Sequence, residues 1–508
     1  MFRRSVIQLF SYLIVFLAAS LTVQGQQTAT TYTLTLEDVV ELAKQQSTMA
    51  IQARHTFRAA YFSNMDYKAN FLPKLTLTTS PTSWDKSILT VPRVDAEGNV
   101  TYTESKGNTL TSEAGLALSQ NIGLTGGNMS LGTTFRRRHN FLDKNSSSAT
   151  TFTTNLVQFS IRQPLNGYNE FRWLKQIEPL KFEEAKQNYI VAMESVSSRA
   201  VQMFFALAIA EQELKIAGTN MENQQHLYDI AKGRHQLGNI AEDQLLQVQL
   251  RYLQSESRLN RSEVDIYSRK SQLRSFLGFN ENVEIRLLID PEVPSFKVDY
   301  EEAMDLALTR NPDIIAFMRQ KLDAERQVSF AKSQTGITMS LDASFGMNKT
   351  GYSFNDAYSP RFDDKEGISL NIKVPILDWS QSRNRYRQAQ SQLEVTETRI
   401  QQLETEFKQD IFLQVMNFNM QENQLRLAAL QDTIAQKSYD ISFQRYMIGK
   451  GDITVLNIAD TEKDNAKVSW MQQLQRFWNL YYTIRSITLF DFQNRKPLEE
   501  DFGAIIGE

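Results

Sequence analysis

An internal duplication constrains this 508-residue chain more than any other feature. Residues 34–70 align with 298–334 at an offset of 264. LTLEDVVELAKQQSTMA falls on VDYEEAMDLALTRNPDI, with Glu37 over Glu301, Leu42 over Leu306 and Ala43 over Ala307. A second match, at an offset of 211, places QPLNGYN (163–169) on VPILDWS (374–380) and RHQLGNIAEDQLL (234–246) on RYMIGKGDITVLN (445–457). The offsets differ by 53 residues, so the first copy holds an insertion between its short helices and Pro164. Units this long are not solenoid repeats; they read as duplicated domains or as two halves of one structure.

The landmarks bracket segments of contrasting period. From about Glu170 to Lys232, and from about Arg383 to Ile448, good helix formers dominate, with Gly218 an isolated glycine. Ala389, Leu393, Thr396, Ile400, Leu403 and Phe407 step by three and four, and Ile411, Val415 and Phe418 follow after a stutter. That is a coiled-coil-like seam with an imperfect heptad. About 65 such residues would span roughly 100 Å, more than an ordinary globule needs. Gly238 and Gly449-Lys450-Gly451 then turn each long helix into a shorter one, about 241–278 and 453–489, to make two hairpins. In the aligned segments 34–50 and 298–314, acidic residues in the first turn and apolar residues after it predict short helices. Asn311-Pro312 ends one of these and opens the next.

Other stretches alternate with period two. Ile368, Leu370, Ile372 and Val374 oppose Ser369, Asn371 and Lys373; Val157, Phe159 and Ile161 oppose Gln158, Ser160 and Arg162. Ile337, Met339, Leu341, Ala343 and Phe345 continue the pattern, with weaker alternation over 75–80, 114–122 and 128–136. Each reads as a strand with one polar face, of a length that suits a membrane-crossing strand. A water-filled barrel and a sandwich with one solvated side both fit. The segments 81–111, 139–152 and 349–366 are polar and read as exposed loops.

Residues 1–25 carry Arg3 and Arg4, an apolar stretch from Val6 to Leu21 and Val23-x-Gly25, the pattern of a cleaved export signal. No later segment is expected to supply the roughly 20 apolar residues of a membrane helix. The 55 Lys+Arg against 58 Asp+Glu argue against a dedicated nucleic-acid surface. Cysteine is absent, which excludes disulfides and thiolate chemistry, and the four histidines show no metal-ligand spacing. Asp363, Asp364 and Glu366 read as solvated charge before they read as a cation site. GKGDIT (449–454) lacks the spacing of a phosphate loop and reads as a turn. Asn145-Ser-Ser is a weak glycosylation pattern, and Arg136-Arg137-Arg138 a cluster at a strand end. Tyr168, Phe171, Trp173, Trp379 and Tyr386 gather where strands give way to helices, fitting equally a packed core or an interfacial girdle. No nucleophile has a plausible base, so an enzyme is not expected and no cofactor or metal is implied.

At the turns, Glu242 and Asp243 open one returning helix, and Asp452, Thr454, Asn457 and Asp460 open the other. Capping suffices for Asp452 or Thr454; the alternative is that these polar groups face an axis shared by several chains.

Together, LTLEDVVELAKQQS, VDYEEAMDLALTRNPD, SIRQPL, IKVPILDWSQSRNRYRQAQ and the turn segments HQLGNIAEDQLLQVQLRYLQSESRL and YMIGKGDITVLNIADTEKDNAK resemble the TolC-like outer membrane efflux protein family. The resemblance covers roughly 34–490 and rests on order and duplication, not on one motif. It implies a mainly α chain with a β-barrel part. Short helices are expected at 34–73 and 298–336, barrel strands at 74–164 and 337–376, and long hairpins at 165–279 and 377–490. A linker at 280–297 and a tail at 491–508 complete the chain. In the family a homotrimer combines four strands per subunit into a twelve-stranded outer-membrane barrel continued by a periplasmic α-barrel. Such a duct passes substrates from an inner-membrane pump through a periplasmic adaptor. Carried over by position, Leu237, Gly238, Ile448 and Gly449 would meet the adaptor. Asp243, with Glu242, would line the constriction; the second-copy positions Thr454 and Asn457 are uncharged, leaving Asp452 and Asp460 as substitutes. Room for four strands in 75–164 departs from the family, and an elaborated barrel is expected. A type I protein secretion duct and a purely structural periplasmic spacer are the competing readings.

Overall fold

A computed structural model describes residues 30–94, 98–142, 149–290, 292–448 and 450–507, so the export signal and Asn145 lie outside the described residues. The order is β1 (Thr30–Leu34), α1 (Leu36–Gln46), α2 (Thr48–Ala69), β2 (Lys74–Val94), β3 (Val100–Ile122), β4 (Gly127–Asn140), β5 (Thr150–Pro164), α3 (Glu170–Gln236), α4 (Glu242–Phe276) and β6 (Val283–Leu287). It continues as α5 (Tyr300–Arg310), α6 (Pro312–Ser333), β7 (Thr338–Gly351), α7 (Phe354–Ala357), β8 (Asp363–Lys373), α8 (Gln381–Met447), α9 (Ile453–Thr488), β9 (Phe490–Asp491), β10 (Lys496–Pro497) and α10 (Phe502–Ile506). The bounds of α5 and α6 repeat those of α1 and α2 at the offset of 264, and those of α8 repeat α3 at 211.

Local chemistry sets many of these ends. Thr35 and Asp38 form a reciprocal capping box on α1, satisfying two backbone donors. Asn311 caps α6 through the Asp313 amide, with Pro312 in its first turn. Pro179 lies inside α3, in the stretch where helix formers dominate. Pro179 and Lys175 are both exposed, so water can satisfy the carbonyl that loses its donor.

The chain divides into two compact units. The first holds the described residues up to His55 with Tyr189–Ala307 and Ile411–Glu500. Its core is built from helix stripes: Met193, Val196, Ala200, Val201, Phe204 and Leu207 on α3, Leu474, Phe477, Tyr481 and Ile484 on α9, and Ile411, Val415, Phe418, Leu425 and Ala428 on α8 are all buried. The steps of three and four on α8 continue the seam expected from sequence. By composition α3 is apolar enough to cross a membrane, contrary to the expectation that no such segment exists. Its most apolar window is 56% buried, as in a core helix. The 280–297 linker contains β6, which pairs in parallel with β1.

The second unit holds Thr56–Asn188, Leu308–Asp410 and Asp501–Glu508. Its centre is a six-stranded sheet ordered β2-β3-β4-β5-β7-β8, antiparallel throughout. Directly paired residues share a face. Leu75, Leu118, Leu131, Phe159 and Phe345 form one apolar row, while Lys74, Ser119, Ser130, Ser160 and Ser344 form a polar row on the opposite face. The polar face carries the Arg162–Asp342 and Arg136–Glu113 pairs at 2.6 and 2.8 Å, so Arg136 has a partner within the sheet.

One expectation changes here, and the room for four strands in 75–164 is filled. Residues 81–111 are not a loop but most of the β2–β3 hairpin, paired from Ser83–Thr111 to Val94–Val100. The polar composition read as a loop, yet the strand accommodates even Pro81 and Pro92, because β2 is an edge strand and Pro81 falls at a bulge, the two places where a missing N–H is tolerated. The first copy therefore gives four strands and the second two, so one sheet holds six strands where the resemblance implied four. Gly126 turns β3 into β4 at φ +79, and the hairpin belongs to this sheet.

Candidate functional site

Both hairpin turns lie in the first unit and are built alike. At the end of α3 the amide of Asn239 bonds the carbonyl of Arg234 at 2.8 Å; at the end of α8 the amide of Lys450 bonds that of Arg445 at 2.9 Å. These six-to-one bonds occupy equivalent positions in the two repeats and are the signature of a glycine-terminated helix. Gly238 supplies the required left-handed conformation at φ +73. Its counterpart Gly449 lies outside the described residues. Leu237 and Ile448 are 77% and 67% exposed. Arg234 stands 5.9 Å from the centre of the Tyr446 ring, so the two turns are neighbours.

The returning helices differ. Glu242 and Asp243 open α4 exposed, behind Ala241, which has no capping side chain, and among the described residues neither makes an ion pair. Asp452 caps α9, accepting from the Thr454 amide at 2.6 Å, so capping occupies one of its oxygens. Thr454 is exposed and Asn457 half-buried. Asp460 is held by Lys463 at 2.8 Å and is the least available of the candidate carboxylates. Gly451, in the turn read from the sequence, leaves no room for a side chain: an added Cβ would sit 2.8 Å from the Tyr446 nitrogen.

Sequence reasoning passed over a polar network joining both hairpins above the turns. Asp464, 4% exposed, accepts from Asn220 of α3 at 2.6 Å and from Arg258 of α4 at 3.3 Å. Lys463 lies 3.4 Å from its other oxygen and 3.9 Å above the Tyr439 ring of α8. Asn223 donates to the Tyr439 hydroxyl at 3.1 Å. Burial raises the Asp464 carboxyl above its ordinary range, with Lys463, Asn220 and Arg258 pulling against it and Asp460 adding to the rise. A raised folded-state pKa means the charge costs more folded than unfolded. The cost is present above the shifted pKa and is relieved as pH falls through it. Urea midpoints from neutral to mildly acidic pH should therefore rise on acidification in the natural chain relative to Asp464→Asn; parallel curves would refute the assignment.

Among the described residues no cluster of His, Asp or Glu has the arrangement of a metal site. The candidate site is two exposed turns, a set of carboxylates and a buried network.

Known proteins share this architecture. Residues 303–475 match the family model described as outer membrane efflux protein. No match was found among curated protein sequences. Among solved structures, the Campylobacter jejuni CmeC outer membrane channel is 17% identical with a TM-score of 0.64, over 93% of this chain and 88% of that one. The Vibrio cholerae outer membrane protein VceC is 12% identical at 0.60, over 91% and 97%. The open state of the Neisseria gonorrhoeae MtrE outer membrane channel is 12% identical at 0.57, over 92% and 91%. With that model matched over 303–475 and this architecture along nearly its whole length, the chain has the fold of these outer membrane channels.

Proposed function

We propose that the protein is the outer-membrane exit duct of a tripartite export system. It conducts substrates passively from a periplasmic adaptor and an inner-membrane pump to the exterior. The observation that carries this reading is the six-stranded sheet. One face is apolar and exposed, the other polar, and both edges lack partners among the described residues. In lipid such a sheet must close, because an open edge leaves backbone groups unsatisfied. The helices support a homotrimer: opposite its buried stripe, α8 exposes Phe412, Met416, Met420, Leu427, Leu430 and Ile434, a second apolar stripe for a neighbouring copy.

In this reading the sheet sits in the outer membrane and the hairpins extend into the periplasm. Leu237, Gly238, Ile448 and Gly449 meet the adaptor, and Asp243 with Glu242 lines the constriction. Three copies would bring three Asp243 carboxylates to one axis, attracting cations without any catalytic step. The test is conductance of purified protein in planar bilayers, with its oligomeric mass measured beforehand. A trimer with discrete openings is expected; a monomer that never inserts would overturn the duct. Asp243→Asn should shift the reversal potential under a salt gradient toward lower cation preference, and an unchanged potential would remove Asp243 from the constriction.

A further inference from the structure

The apolar face of the sheet ends along an oblique line. Helices join the sheet at one end, and the β2–β3, β4–β5 and β7–β8 turns lie at the other. Direct pairing carries the apolar face from strand to strand. Moving toward those turns, its first charged residue is Glu366 on β8, Lys349 on β7, Arg137 on β4, Lys106 on β3 and Lys86 on β2; β5 has none. Followed through the pairing onto β3, Glu366 stands level with Leu118, Lys349 with Ala114, Arg137 with Ser112 and Lys86 with Asn108. A line that climbs across the strands in this way is what the rim of a membrane band traces on tilted strands.

Aromatic rings follow the same line. Phe135 lies 6.1 Å from Phe152, 5.4 Å from Phe354 and 6.0 Å from Tyr358, centre to centre. Trp84, 61% exposed, donates its indole N–H to Asn108 at 2.7 Å. Charges on the two faces differ in their partners. On the polar face Arg162 and Arg136 are paired with Asp342 and Glu113. On the apolar face Lys349 donates to the Ser359 carbonyl at 3.1 Å, but Arg137, Lys86 and Lys106 are exposed and form no ion pair among the described residues. Carboxylates on that face are Glu104, beyond Lys106, and Asp364 and Glu366, both on β8, so β2 to β4 carry the excess of positive charge.

We propose that Arg137, Lys86 and Lys106 bind phosphate-bearing lipid headgroups of the outer leaflet, with the aromatic line seating the apolar part of those lipids. The proposal rests on the reading of the sheet as an outer-membrane barrel. Cations at the water–lipid boundary attract headgroup phosphates, and the Arg137 guanidinium can fork across two phosphate oxygens. The three cations sit on three successive strands along the line and do not surround one pocket, which suits a layer of headgroups and not a single free ion.

The test is retention of bis-phosphorylated lipid A by the purified full-length chain in an uncharged detergent, read by native mass spectrometry beside the same lipid after phosphatase treatment. The natural chain should hold the phosphorylated lipid about tenfold more tightly, and lose that preference in about 0.5 M salt. Arg137→Gln combined with Lys86→Gln and Lys106→Gln should weaken binding by about a hundredfold, while Arg138→Gln, on the polar face, should not change it. Equal retention of the two lipids, or undiminished binding by the triple variant, would overturn the proposal. Equally tight binding of inorganic phosphate alone would assign the cations to a free anion and also overturn it. If the triple variant fails to assemble, the phosphatase comparison on the natural chain still decides. A natural chain that conducts in planar bilayers yet shows no preference would refute the headgroup site and leave the duct standing. One that never inserts would remove the duct reading and the site with it.

Discussion

Replacing Arg485 by alanine lowers the stability of the helical unit by about 3–5 kcal/mol, the scale for removing one partner of a buried ion pair. Glu194, its side chain 3% exposed, receives Arg485 Nε at 2.9 Å and Lys44 at 2.9 Å. Arg485 Nη1 reaches Asp491 at 2.9 Å and the Tyr481 hydroxyl at 3.0 Å. Burial works against the guanidinium charge, but Glu194, Tyr481 and Asp491 outweigh it and hold its pKa above the ordinary value. Without it two carboxylates remain buried, one with only Lys44 and the other with neutral donors. Arg485→Lys should recover part of the loss, since an ammonium keeps the charge but cannot fork between Glu194 and Asp491. Urea titration of purified protein at fixed protein concentration reads the difference, because assembly contributes to apparent stability. A loss below about 1 kcal/mol, the level of an exposed pair, would show the cluster to be dispensable.

Gly451→Val should abolish export while leaving outer-membrane insertion intact. The new Cβ would meet backbone, with Tyr446 N at 2.8 Å, the Arg445 carbonyl carbon at 3.0 Å and Tyr446 Cα at 3.1 Å, so no side chain can swing away. Relief requires the turn itself to move, which breaks the Lys450–Arg445 bond and frays the end of α8. Gly238→Val strains the other turn differently. Space is open around it, but a β-branched residue at φ +73 is disfavoured by about 1–2 kcal/mol. The double variant should show wild-type amounts of trimer in outer-membrane fractions and substrate retention equal to a strain lacking the duct. Undiminished export would detach the turns from adaptor docking.

Much of the turn chemistry was legible because it is local. A glycine after a helical run, a carboxylate at a helix start and an asparagine before a proline act within a few residues, and the observed caps and turns use them. The Asp464 network was not legible. Asn220 and Asp464 are 244 residues apart, and nothing in either helix's own pattern selects one polar position over its neighbours. Charged residues on amphipathic helices are usually solvated, and only the packing of α3, α4 and α9 makes these buried. Residues 81–111 failed for a related reason. Ser, Thr, Asp and Lys alternate weakly there and two prolines intervene, so strand formation depends on β3 as a partner and on β2 being at an edge.

What the amino-acid sequence determined alone is the duplication, the ends of the long helices and the facing of the best-patterned strands. These follow from periods of 3.6 and 2 and from caps that each segment carries within itself. Tertiary structure decided the number of strands in the sheet, the pairing of Glu194 with Arg485 and of Asp464 with Arg258, and which junction aromatic found a partner. Those depend on which surfaces meet. Tyr168 has Phe330 of its own chain against it and, among the described residues, Trp379 has no such ring, a difference that two aligned segments of similar chemistry cannot express.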